Sequence, residues 1–573
     1  MRKKDENIRF SEREDTVSIH LEDGRTISGP RGATVGSLLA ITEKDGDGPP
    51  IVGAIVNGAL RELRFCIEFE SQVSPVRMDS EDGMRIYRRS LTFILEAAFS
   101  TLFPGASMTI DHSVSAGGYF CQVHDWETIT EEDLKKLESK MREYVSADYE
   151  FERVEVPLQE AIDLFTEQGK LDKVRLLKHR KKDYLVLYGF NGHRDYHHGY
   201  KVPSSGYVRW FALQPTEGGF TLRFPRRHEP TEIQPLGDYP KLLETFRRYG
   251  SWLERMGIES VGALNDCVLD GRIQEVVLVA EGLQEKRIVD IAQQIADQRE
   301  NVRLVSIAGP SSSGKTTSSK RLSIQLLATG LHPFAVELDR YFVDRDKTPI
   351  DEEGEYDFEH IDAIDLERLN HDMKKLIGGE EVQLPKYNFH EGKSEPGQVV
   401  QLAEDQIIII EGIHGLNPTL LKDLPEENIF RIYLSALTQL NLDQHNRVST
   451  TDTRLIRRIV RDARERGYSP QETIQRWESV QRGEKRFIFP YQENAAVMFN
   501  SALVYELAVL KPLAEPLLRQ VPAGTEEHIE VKRLLALLEW VLPCDGDLVP
   551  DNSLLREFIG GSILKDFHLW QRD

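Results

Sequence analysis

The feature that most constrains this chain is a glycine-rich loop that directly follows a short apolar run. The run, Val302 to Ala308, is suited to a buried parallel strand, and it leads into Gly309-Pro310-Ser311-Ser312-Ser313-Gly314-Lys315-Thr316. This is a complete G-x-x-x-x-G-K-T pattern, in which backbone N–H groups point inward at phosphate oxygens. The sequence after the loop predicts a helix that stops at Gly330. A chance Gly/Ser-rich turn is the alternative, and the position between a strand and a helix disfavours it.

The loop predicts a site for ATP, or another nucleoside triphosphate, together with Mg²⁺. Lys315 can reach the β- and γ-phosphates, and the Thr316 hydroxyl can bind the metal ion. The candidate nucleotide-binding residues are Gly309, Pro310, Ser311, Ser312, Ser313, Gly314, Lys315, Thr316 and Thr317.

Two acids stand at the ends of further predicted strands. Phe334-Ala335-Val336-Glu337-Leu338 ends at Asp339, and Ile407-Ile408-Ile409-Ile410 ends at Glu411. In a doubly wound sheet, the carboxyl ends of the strands face the ligand crevice. We therefore expect Glu411 to hold Mg²⁺ through water, and Asp339 to take the proton of an acceptor hydroxyl. A turn cap at Asp339 and a solvated loop acid at Glu411 are the alternatives.

Arginines crowd one predicted helix and its end. They are Arg454, Arg457, Arg458, Arg461, Arg464 and Arg466. Arg454, Arg458 and Arg461 follow the spacing i, i+4, i+7, which places them on one helix face. Phosphoryl transfer is stabilised by cations over the transferred group, so this helix resembles a lid, and a solvated basic face is the alternative.

Length and charge limit the class of protein. A chain of 573 residues is too long for one core, and we expect three or four domains. The net charge of −22 disfavours nucleic acid as a partner, because an acidic chain repels phosphate backbones. No apolar run reaches the roughly 18 residues of a membrane span, and the N-terminus leads into no signal-peptide core. Four widely spaced cysteines fit reduced thiols, so a cytoplasmic protein without a membrane partner is expected.

A series of further motifs follows the loop in order. They are Asp339-Arg340-Tyr341-Phe342, Tyr356-Asp357-Phe358-Glu359-His360, Leu384-Pro385-Lys386-Tyr387-Asn388-Phe389, Ile410-Glu411-Gly412, and Arg454 to Asp462 with Glu465-Arg466-Gly467. Over roughly residues 301 to 510, this series resembles the uridine kinase/phosphoribulokinase family. The order of the motifs is far more specific than the loop alone.

The resemblance implies roles for individual residues. Asp339 is implied to be the catalytic base, with Lys315 at the phosphates. Glu359 would hold sugar hydroxyls, and Tyr387 would line the acceptor pocket. Arg458 would touch the acceptor, whereas Arg461 and Arg466 would clamp phosphates.

The chain also departs from the pattern of uridine–cytidine kinases. Gly392 stands in place of a base-reading histidine, Tyr468 in place of an arginine, and Arg476 in place of a glutamine. The carboxylate on the sugar side is Glu359 and not aspartate. A pocket that loses polar partners changes its discrimination, so the acceptor could be a nucleoside, another sugar or a polyol.

The first 225 residues resemble a different enzyme. A predicted hairpin at Val17–Ile27, a short helix near Ala33–Leu39 and an Asn57-Gly58 turn resemble the TGS domain, which is ubiquitin-like. A helical stripe from Met84 and the segment Gly199–Gly206 resemble the second additional, editing-type domain of threonyl-tRNA synthetase.

The ligand motifs of that editing domain are altered here. Its H-x-x-x-H segment corresponds to Arg89-Ser90-Leu91-Thr92-Phe93, and its C-x-x-x-H segment to His197-His198-Gly199-Tyr200-Lys201. We therefore expect editing to be lost. His193 and His197 have a spacing that would bind metal on a helix, but a helix is not expected between Gly192 and Gly199.

The sequence thus predicts a multidomain α/β and α+β protein whose doubly wound P-loop NTPase sheet follows a ubiquitin-like TGS domain and an α+β editing-like domain. The expected division is 1–80 TGS-like, 81–225 synthetase-like, 226–300 helical connector, 301–515 kinase-like and 516–573 helical tail. This order resembles the long bacterial-type nucleoside kinases. It implies a Mg²⁺-dependent kinase that phosphorylates a hydroxyl of a nucleoside, with a small hydroxyl-bearing acceptor as partner. Two alternative functions stay open: a sugar or polyol kinase, and an RNA-associated regulatory protein that binds nucleotides. The chain could also form a homo-oligomer.

Overall fold

The computed structural model describes residues 15–43, 48–114, 117–126, 128–235, 237–350, 354, 356–388 and 390–567. Phe389, the last residue of one expected motif, lies outside the described residues, and so does the N-terminal stretch 1–14.

The first sheet is mixed and has five strands. They are β1 (Thr16–His20), β2 (Thr26–Pro30), β3 (Ile51–Val56), β4 (Ala59–Arg61) and β5 (Ser71–Arg77), in the order β2-β1-β5-β3-β4. Helix α1 (Val35–Glu43) shares a core with this sheet through Leu38 and Leu39. The β3–β4 turn places Asn57 and Gly58 at φ of 49° and 72°, as a two-residue hairpin requires.

The next region combines two antiparallel sheets with helices. Its elements are α2 (Glu81–Leu102), β6 (Ser107–Val114), β7 (Gly118–His124), α3 (Glu131–Ala147), β8 (Glu152–Pro157), α4 (Leu158–Glu167), α5 (Leu171–Leu177), β9 (Tyr184–Phe190), β10 (His193–Asp195), β11 (Ala212–Thr216) and β12 (Gly219–Arg223). The sheets have the orders β10-β9-β8 and β11-β12-β7-β6. Ser80 caps α2 and Thr130 caps α3, each by accepting a backbone N–H bond.

Three helices connect this region to a parallel sheet. They are α6 (Pro240–Met256), α7 (Val261–Leu269) and α8 (Ile273–Asp297). Gly257 ends α6 in the left-handed conformation that glycine favours. Ile288, Ile291 and Ile295 of helix α8 are buried in the core on one face of the parallel sheet.

The parallel sheet has five strands and helices on both faces. Its strands are β13 (Leu304–Ala308), β14 (His332–Glu337), β17 (Gln406–Glu411), β18 (Ile429–Ser435) and β19 (Val497–Asn500), in the order β14-β17-β13-β18-β19. The hairpin of β15 (Val382–Asn388) and β16 (Lys393–Val400) stands beside it. The helices are α9 (Lys315–Ala328), α10 (Leu366–Ile377), α11 (Thr450–Arg461), α12 (Pro470–Gln475), α13 (Trp477–Phe487) and α14 (Glu506–Leu518).

Alternate residues of β13 face opposite sides of that sheet. Leu304 packs in the core that contains α10, whereas Val305 and Ile307 pack in the core that contains α8 and α9. Both faces are therefore buried, which explains why the strands read as continuous apolar runs. The doubly wound parallel sheet that the sequence predicts is confirmed.

The C-terminal segment packs into the core of the parallel sheet. Its helices are α15 (Glu527–Leu538) and α16 (Arg556–Ile559). Leu534, Leu555 and Phe558 are buried in the same cluster as Val305 and Ile307. Sequence periodicity could not reveal that this tail completes the core. Within the described residues, no helix is both long enough and apolar enough to cross a membrane.

Candidate active site

The phosphate loop joins the carboxyl end of β13 to the first turn of α9. Ser312 and Gly314 have φ of 58° and 87°, and these positive values curl the loop. Gly309 lies directly against the carbonyl oxygen of Leu434 on β18, so a side chain at this position would collide with that strand. The tight backbone is the anion cradle that the motif predicts.

Lys315, Thr316 and Glu411 meet at the mouth of the loop. The Lys315 ammonium donates to the carbonyl oxygens of Gly309 and Pro310, at 2.9 and 3.1 Å. The Thr316 hydroxyl donates to Glu411 Oε1 at 3.0 Å. Burial raises the pKa of Glu411, and Lys315 opposes this rise. Hydroxyl and carboxylate oxygens are the ligands that Mg²⁺ prefers, so the residues present fit a magnesium ion.

Asp339 lies just past β14, in a short 3₁₀ turn at Leu338–Tyr341. Its Oδ1 atom is buried and accepts no hydrogen bond from any described residue. Burial, and then the neighbouring Glu337, raise the pKa of this carboxyl group. An unsatisfied carboxylate oxygen at the carboxyl end of a parallel strand is suited to accept a hydrogen bond from a substrate hydroxyl.

Glu359 lies near the same group of charges. Burial, and then Asp357 and Glu484, raise its pKa to about 7, while Arg458 and Lys315 oppose the rise. Its backbone oxygen is 2.9 Å from His414 Nε2, which fixes the local chain. Glu359 therefore changes charge close to neutral pH.

Tyr387 and Gly392 lie around the hairpin of β15 and β16. The Tyr387 ring meets the Phe342 ring edge-on, with centroids 5.6 Å apart. A Cβ atom on Gly392 would lie 2.8 Å from Arg345 Nε. Arg345 thus covers the position of Gly392, where the resemblance to uridine–cytidine kinases would place a base-reading histidine. Sequence reasoning missed Arg345, which belongs to no motif.

Two further departures from the family pattern, Tyr468 and Arg476, contact each other. The guanidinium carbon of Arg476 lies 4.4 Å from the centroid of the Tyr468 ring, a cation–π contact. The two substitutions therefore form one local unit.

The first two arginines of α11 support the loop and form no solvated face. Arg454 and Arg457 are buried. Arg454 Nε donates to the Ser311 carbonyl at 2.8 Å, and Arg457 Nη1 to the Ser312 carbonyl at 3.3 Å. The expectation of a lid face that includes Arg454 is wrong, because this side chain is fixed beneath the loop.

Three of the four remaining arginines share one carboxylate, Asp462, whereas Arg464 pairs with Glu465. Arg458 Nε lies 3.2 Å from it, Arg461 Nη2 2.8 Å and Arg466 Nε 3.6 Å. Arg458 also donates to the Ser311 hydroxyl at 2.8 Å. Asp462 begins a π-helical turn, Asp462–Arg466, a feature frequent at functional sites. The roles of Arg458, Arg461 and Arg466 in phosphoryl transfer stay predictions.

Two further carboxylates touch the loop and were missed from the sequence. Glu484 on α13 accepts from the Ser311 N–H at 2.8 Å and pairs with Arg454. Glu557 on α16 accepts from the Thr317 hydroxyl at 2.9 Å and from its N–H at 3.3 Å. Thr317, a predicted nucleotide contact, is thus held by the C-terminal segment. Neither acid lies in a motif, so no local signal marked them.

The histidines of the synthetase-like region form a separate buried cluster. His193 lies on strand β10, not on a helix. Glu96 from α2 lies 2.7 Å from His197 Nε2, 3.4 Å from His193 Nε2 and 3.2 Å from His445 Nδ1. The ligand atoms of Glu96, His197 and His445 lie within 4.8 Å of one another, so they could hold a metal ion. Lys170, 2.7 Å from Glu96, supplies the cluster with a competing positive charge.

Comparison with known proteins finds a family match for the region of the parallel sheet. Residues 304–507 match the Phosphoribulokinase / Uridine kinase family. A structure described as a "Possible Uridine Kinase" from Bacillus stearothermophilus is 18% identical and covers 38% of this chain and 98% of its own, with a TM-score of 0.25. D-glycerate 3-kinase from Cryptococcus neoformans var. grubii is 14% identical and covers 36% of this chain and 89% of its own, with a TM-score of 0.24.

Other relatives are threonine–tRNA ligases. The protein from Geobacter sp. (strain M21) is 31% identical over 204 residues, which are 36% of this chain and 32% of that protein. The protein from Clostridium kluyveri is 28% identical over 265 residues, which are 43% of this chain and 40% of that protein. The chain thus spans between about a third and two fifths of the length of these curated relatives.

The resemblances to both families are confirmed. The chain contains a phosphoribulokinase/uridine kinase domain at residues 304–507, and its N-terminal region is related to threonine–tRNA ligases.

Proposed function

We propose that this protein is an ATP- and Mg²⁺-dependent kinase that phosphorylates a hydroxyl group of a nucleoside. The observation that carries the proposal is the placement of Asp339. Its buried, unsatisfied oxygen follows β14, and β14 pairs with the strand that ends at Glu411. A base and a metal-binding acid at the ends of neighbouring parallel strands suit transfer of a phosphoryl group to a hydroxyl.

In the proposed reaction, Asp339 accepts the proton of the acceptor hydroxyl as its oxygen attacks the γ-phosphorus. The bond between the γ-phosphorus and the β–γ bridging oxygen breaks, and ADP leaves. Lys315 stabilises the charge that develops on the phosphates, with Arg458, Arg461 and Arg466 as further cations. Thr316 and Glu411 would hold Mg²⁺, which neutralises phosphate charge when bound. Glu359 and Tyr387 would position the acceptor.

The arginines need a change of partner to act in this way. Arg461 makes two contacts with Asp462 Oδ1, at 2.9 and 2.8 Å. Triphosphate oxygens carry more negative charge than one carboxylate and accept the same guanidinium geometry. We propose that ATP draws Arg461 and Arg466 from Asp462, so that these side chains act as the mobile cations of the reaction.

The test is release of ADP by the purified chain with Mg²⁺ and a panel of nucleosides, pentoses and polyols. We expect turnover with a nucleoside and a loss of about 10²–10⁴-fold in Asp339→Asn, the contribution typical of a positioned base. Lys315→Ala should also abolish turnover. ATP hydrolysis that needs no acceptor, or full activity in Asp339→Asn, would refute the assignment. Asp346→Asn, at an acid in a neighbouring loop, is the matched control.

A sugar or polyol acceptor is the second candidate. The observation in its favour is Arg345, which occupies the space over Gly392 that a base-reading side chain would need. Turnover of a pentose or polyol, with no competition from nucleosides, would select this candidate. A regulatory nucleotide-binding role would be selected by ATP binding without turnover of any acceptor, together with salt-sensitive binding of tRNA.

The five-part division of the chain stays a prediction as well. Limited proteolysis tests it, since cuts should concentrate near residues 80, 225 and 300 if these are linkers. The expected boundary at residue 515 falls inside helix α14. We expect resistance near residue 515, because Leu518 and Leu534 lie in one core with Val305.

A further inference from the structure

A cavity of about 670 Å³ separates the synthetase-like region from the kinase region. Arg88 and Arg89 of α2 line one side, and Arg447 and Arg454 line the other. None of the loop residues 309–317 is among the described residues that line it. The cavity is therefore distinct from the nucleotide site, and its size is typical of small-molecule sites.

The cavity is strongly positive in a chain whose net charge is −22. Among its described lining residues, nine are Arg or Lys and two are Asp or Glu. Some of these cations are paired: Arg85 and Arg533 share Glu530, and Arg227 pairs with Glu478. An excess of positive charge remains after these pairs are counted.

Three of the arginines form no ion pair with any described carboxylate. Arg88 lies over the Phe224 ring at 5.7 Å, and Arg447 lies over the Tyr119 ring at 4.8 Å. The two rings meet edge-on with centroids 4.8 Å apart, so the guanidinium groups flank one aromatic pair. Arg89 is the third, and its guanidinium fills the space beside Gly199 that a side chain would need.

These arginines repel one another. Burial, and then Arg533 and Arg85, lower the pKa of Arg89 to about 10. Burial also lowers the pKa of Arg447, and Arg88 adds to this effect. Burial, and then Arg89, lower the pKa of the neighbouring His198 to about 3, so this histidine is neutral and adds no further positive charge. Unpaired cations in a partly desolvated cavity cost stability, and an anionic ligand would remove that cost.

We propose that this cavity binds a small phosphorylated metabolite, whose phosphate is held by Arg88, Arg89 and Arg447. Guanidinium groups donate two parallel hydrogen bonds to phosphate, which makes arginine suited to this ligand. The Tyr119 and Phe224 rings offer an apolar wall for the rest of the molecule.

The proposed site is one side chain away from the phosphate loop. Arg454 lines the cavity, and its Nε donates to the Ser311 carbonyl at 2.8 Å. It also pairs with Glu484, which accepts from the Ser311 N–H at 2.8 Å. Because Arg454 is fixed between the cavity and the loop, a ligand phosphate in the cavity would change the electrostatic field at the loop.

The test uses the full chain with Lys315→Ala, which weakens phosphate binding at the loop and isolates the cavity. Inorganic pyrophosphate and ribose 5-phosphate are titrated in a calorimeter. We expect one site per chain for at least one of these probes, with affinity roughly tenfold lower after Arg89→Gln or Arg447→Gln. Arg153→Gln, at an exposed arginine of β8 outside the cavity, should leave the affinity unchanged.

Several results would overturn the proposal. One is binding that is equally strong in Arg89→Gln, and another is no binding of either probe. Binding of tRNA that competes with the probes and depends on Arg89 would assign the cavity to an RNA end instead. If Arg89→Gln does not fold, the affinity of Arg447→Gln decides the question. A second measurement is hydrogen exchange of α2 in the full chain, which should slow when pyrophosphate is added. An absence of this protection would refute the site.

Discussion

The buried ion pair of Arg457 and Glu506 links the stability of the fold to the phosphate loop. Their side chains are 0% and 3% exposed, and Arg457 Nε lies 2.5 Å from Glu506 Oε2. The same guanidinium donates to the carbonyls of Ser501 and Ser312, at 2.9 and 3.3 Å. Glu506→Gln keeps the shape of the side chain but leaves the Arg457 charge uncompensated in the core. Breaking such a pair costs about 3–5 kcal/mol in free energy of unfolding.

This cost predicts a large change in thermal stability. For a cooperative unit of roughly 200 residues, each kcal/mol lowers the Tm by about 2–4 °C, so we expect a fall of about 6–20 °C. Thermal melts followed by circular dichroism measure it. Affinity for ATP should fall as well, because Arg457 fixes the carbonyl of Ser312 in the loop.

Glu515→Gln is the matched control for that measurement. Glu515 lies on the same helix and is 28% exposed, and it is 3.5 Å from Lys511. Lys511 keeps its hydrogen bonds to the carbonyl oxygens of Leu538 and Val541 without Glu515, and a partly exposed pair contributes about 0–1 kcal/mol, so the Tm should change by a few degrees at most. Equal shifts in Glu506→Gln and Glu515→Gln would refute the reasoning. The double variant Arg457→Met/Glu506→Leu should recover much of the lost stability, since no charge remains buried.

Three other perturbations test the site. The pKa of Glu359 near 7 predicts that the kcat/KM for the acceptor rises between pH 6 and 8, as the carboxylate forms; Glu359→Gln should flatten that profile, and an unchanged profile would contradict the assignment. Asp462→Asn removes the shared carboxylate partner of Arg458, Arg461 and Arg466, so we expect thermal melts to show a loss of about 1.5–3 kcal/mol in stability. The KM for ATP should fall, because Arg461 and Arg466 no longer have to leave this carboxylate; Asp462→Glu should restore part of both properties, and a raised KM would contradict the proposed change of partner. Gly392 and Gly379 both have a positive φ, of 69° and 74°, which strains an alanine at either position. A Cβ atom at Gly392 would also collide with Arg345, whereas a Cβ atom at Gly379 would meet open space. Gly392→Ala should therefore lower the Tm further than Gly379→Ala.

Buried charged side chains connect the synthetase-like region to the kinase region. Lys173 lies 2.5 Å from Asp195 in the synthetase-like region and 3.8 Å from Asp443, which follows β18. Lys170 and His445 both approach Glu96. The cluster therefore ties the two regions together, and the neighbouring arginine cavity lies along the same boundary.

The amino-acid sequence by itself determined the elements whose signals are local. An apolar run followed by Gly309–Thr316 specifies strand, loop and helix, because glycine conformation and helix start are set by neighbouring residues. Apolar runs that end at Asp339 and Glu411 place these acids at one edge of the sheet for the same reason. The motif order from residue 339 to 467 further identified the family, and the order of the N-terminal segments identified the second resemblance.

Only the tertiary structure decided which distant side chains complete the site. Glu484 reaches Ser311 across 173 positions, and Glu557 reaches Thr317 across 240. Neither acid has a local pattern, since a single carboxylate on a helix reads as a solvated residue until packing brings a donor to it. The same holds for Arg345 above Gly392, for Arg454 beneath the loop and for the arginine cavity. Burial turns these ordinary charges into specific partners, and burial is a property of the folded chain.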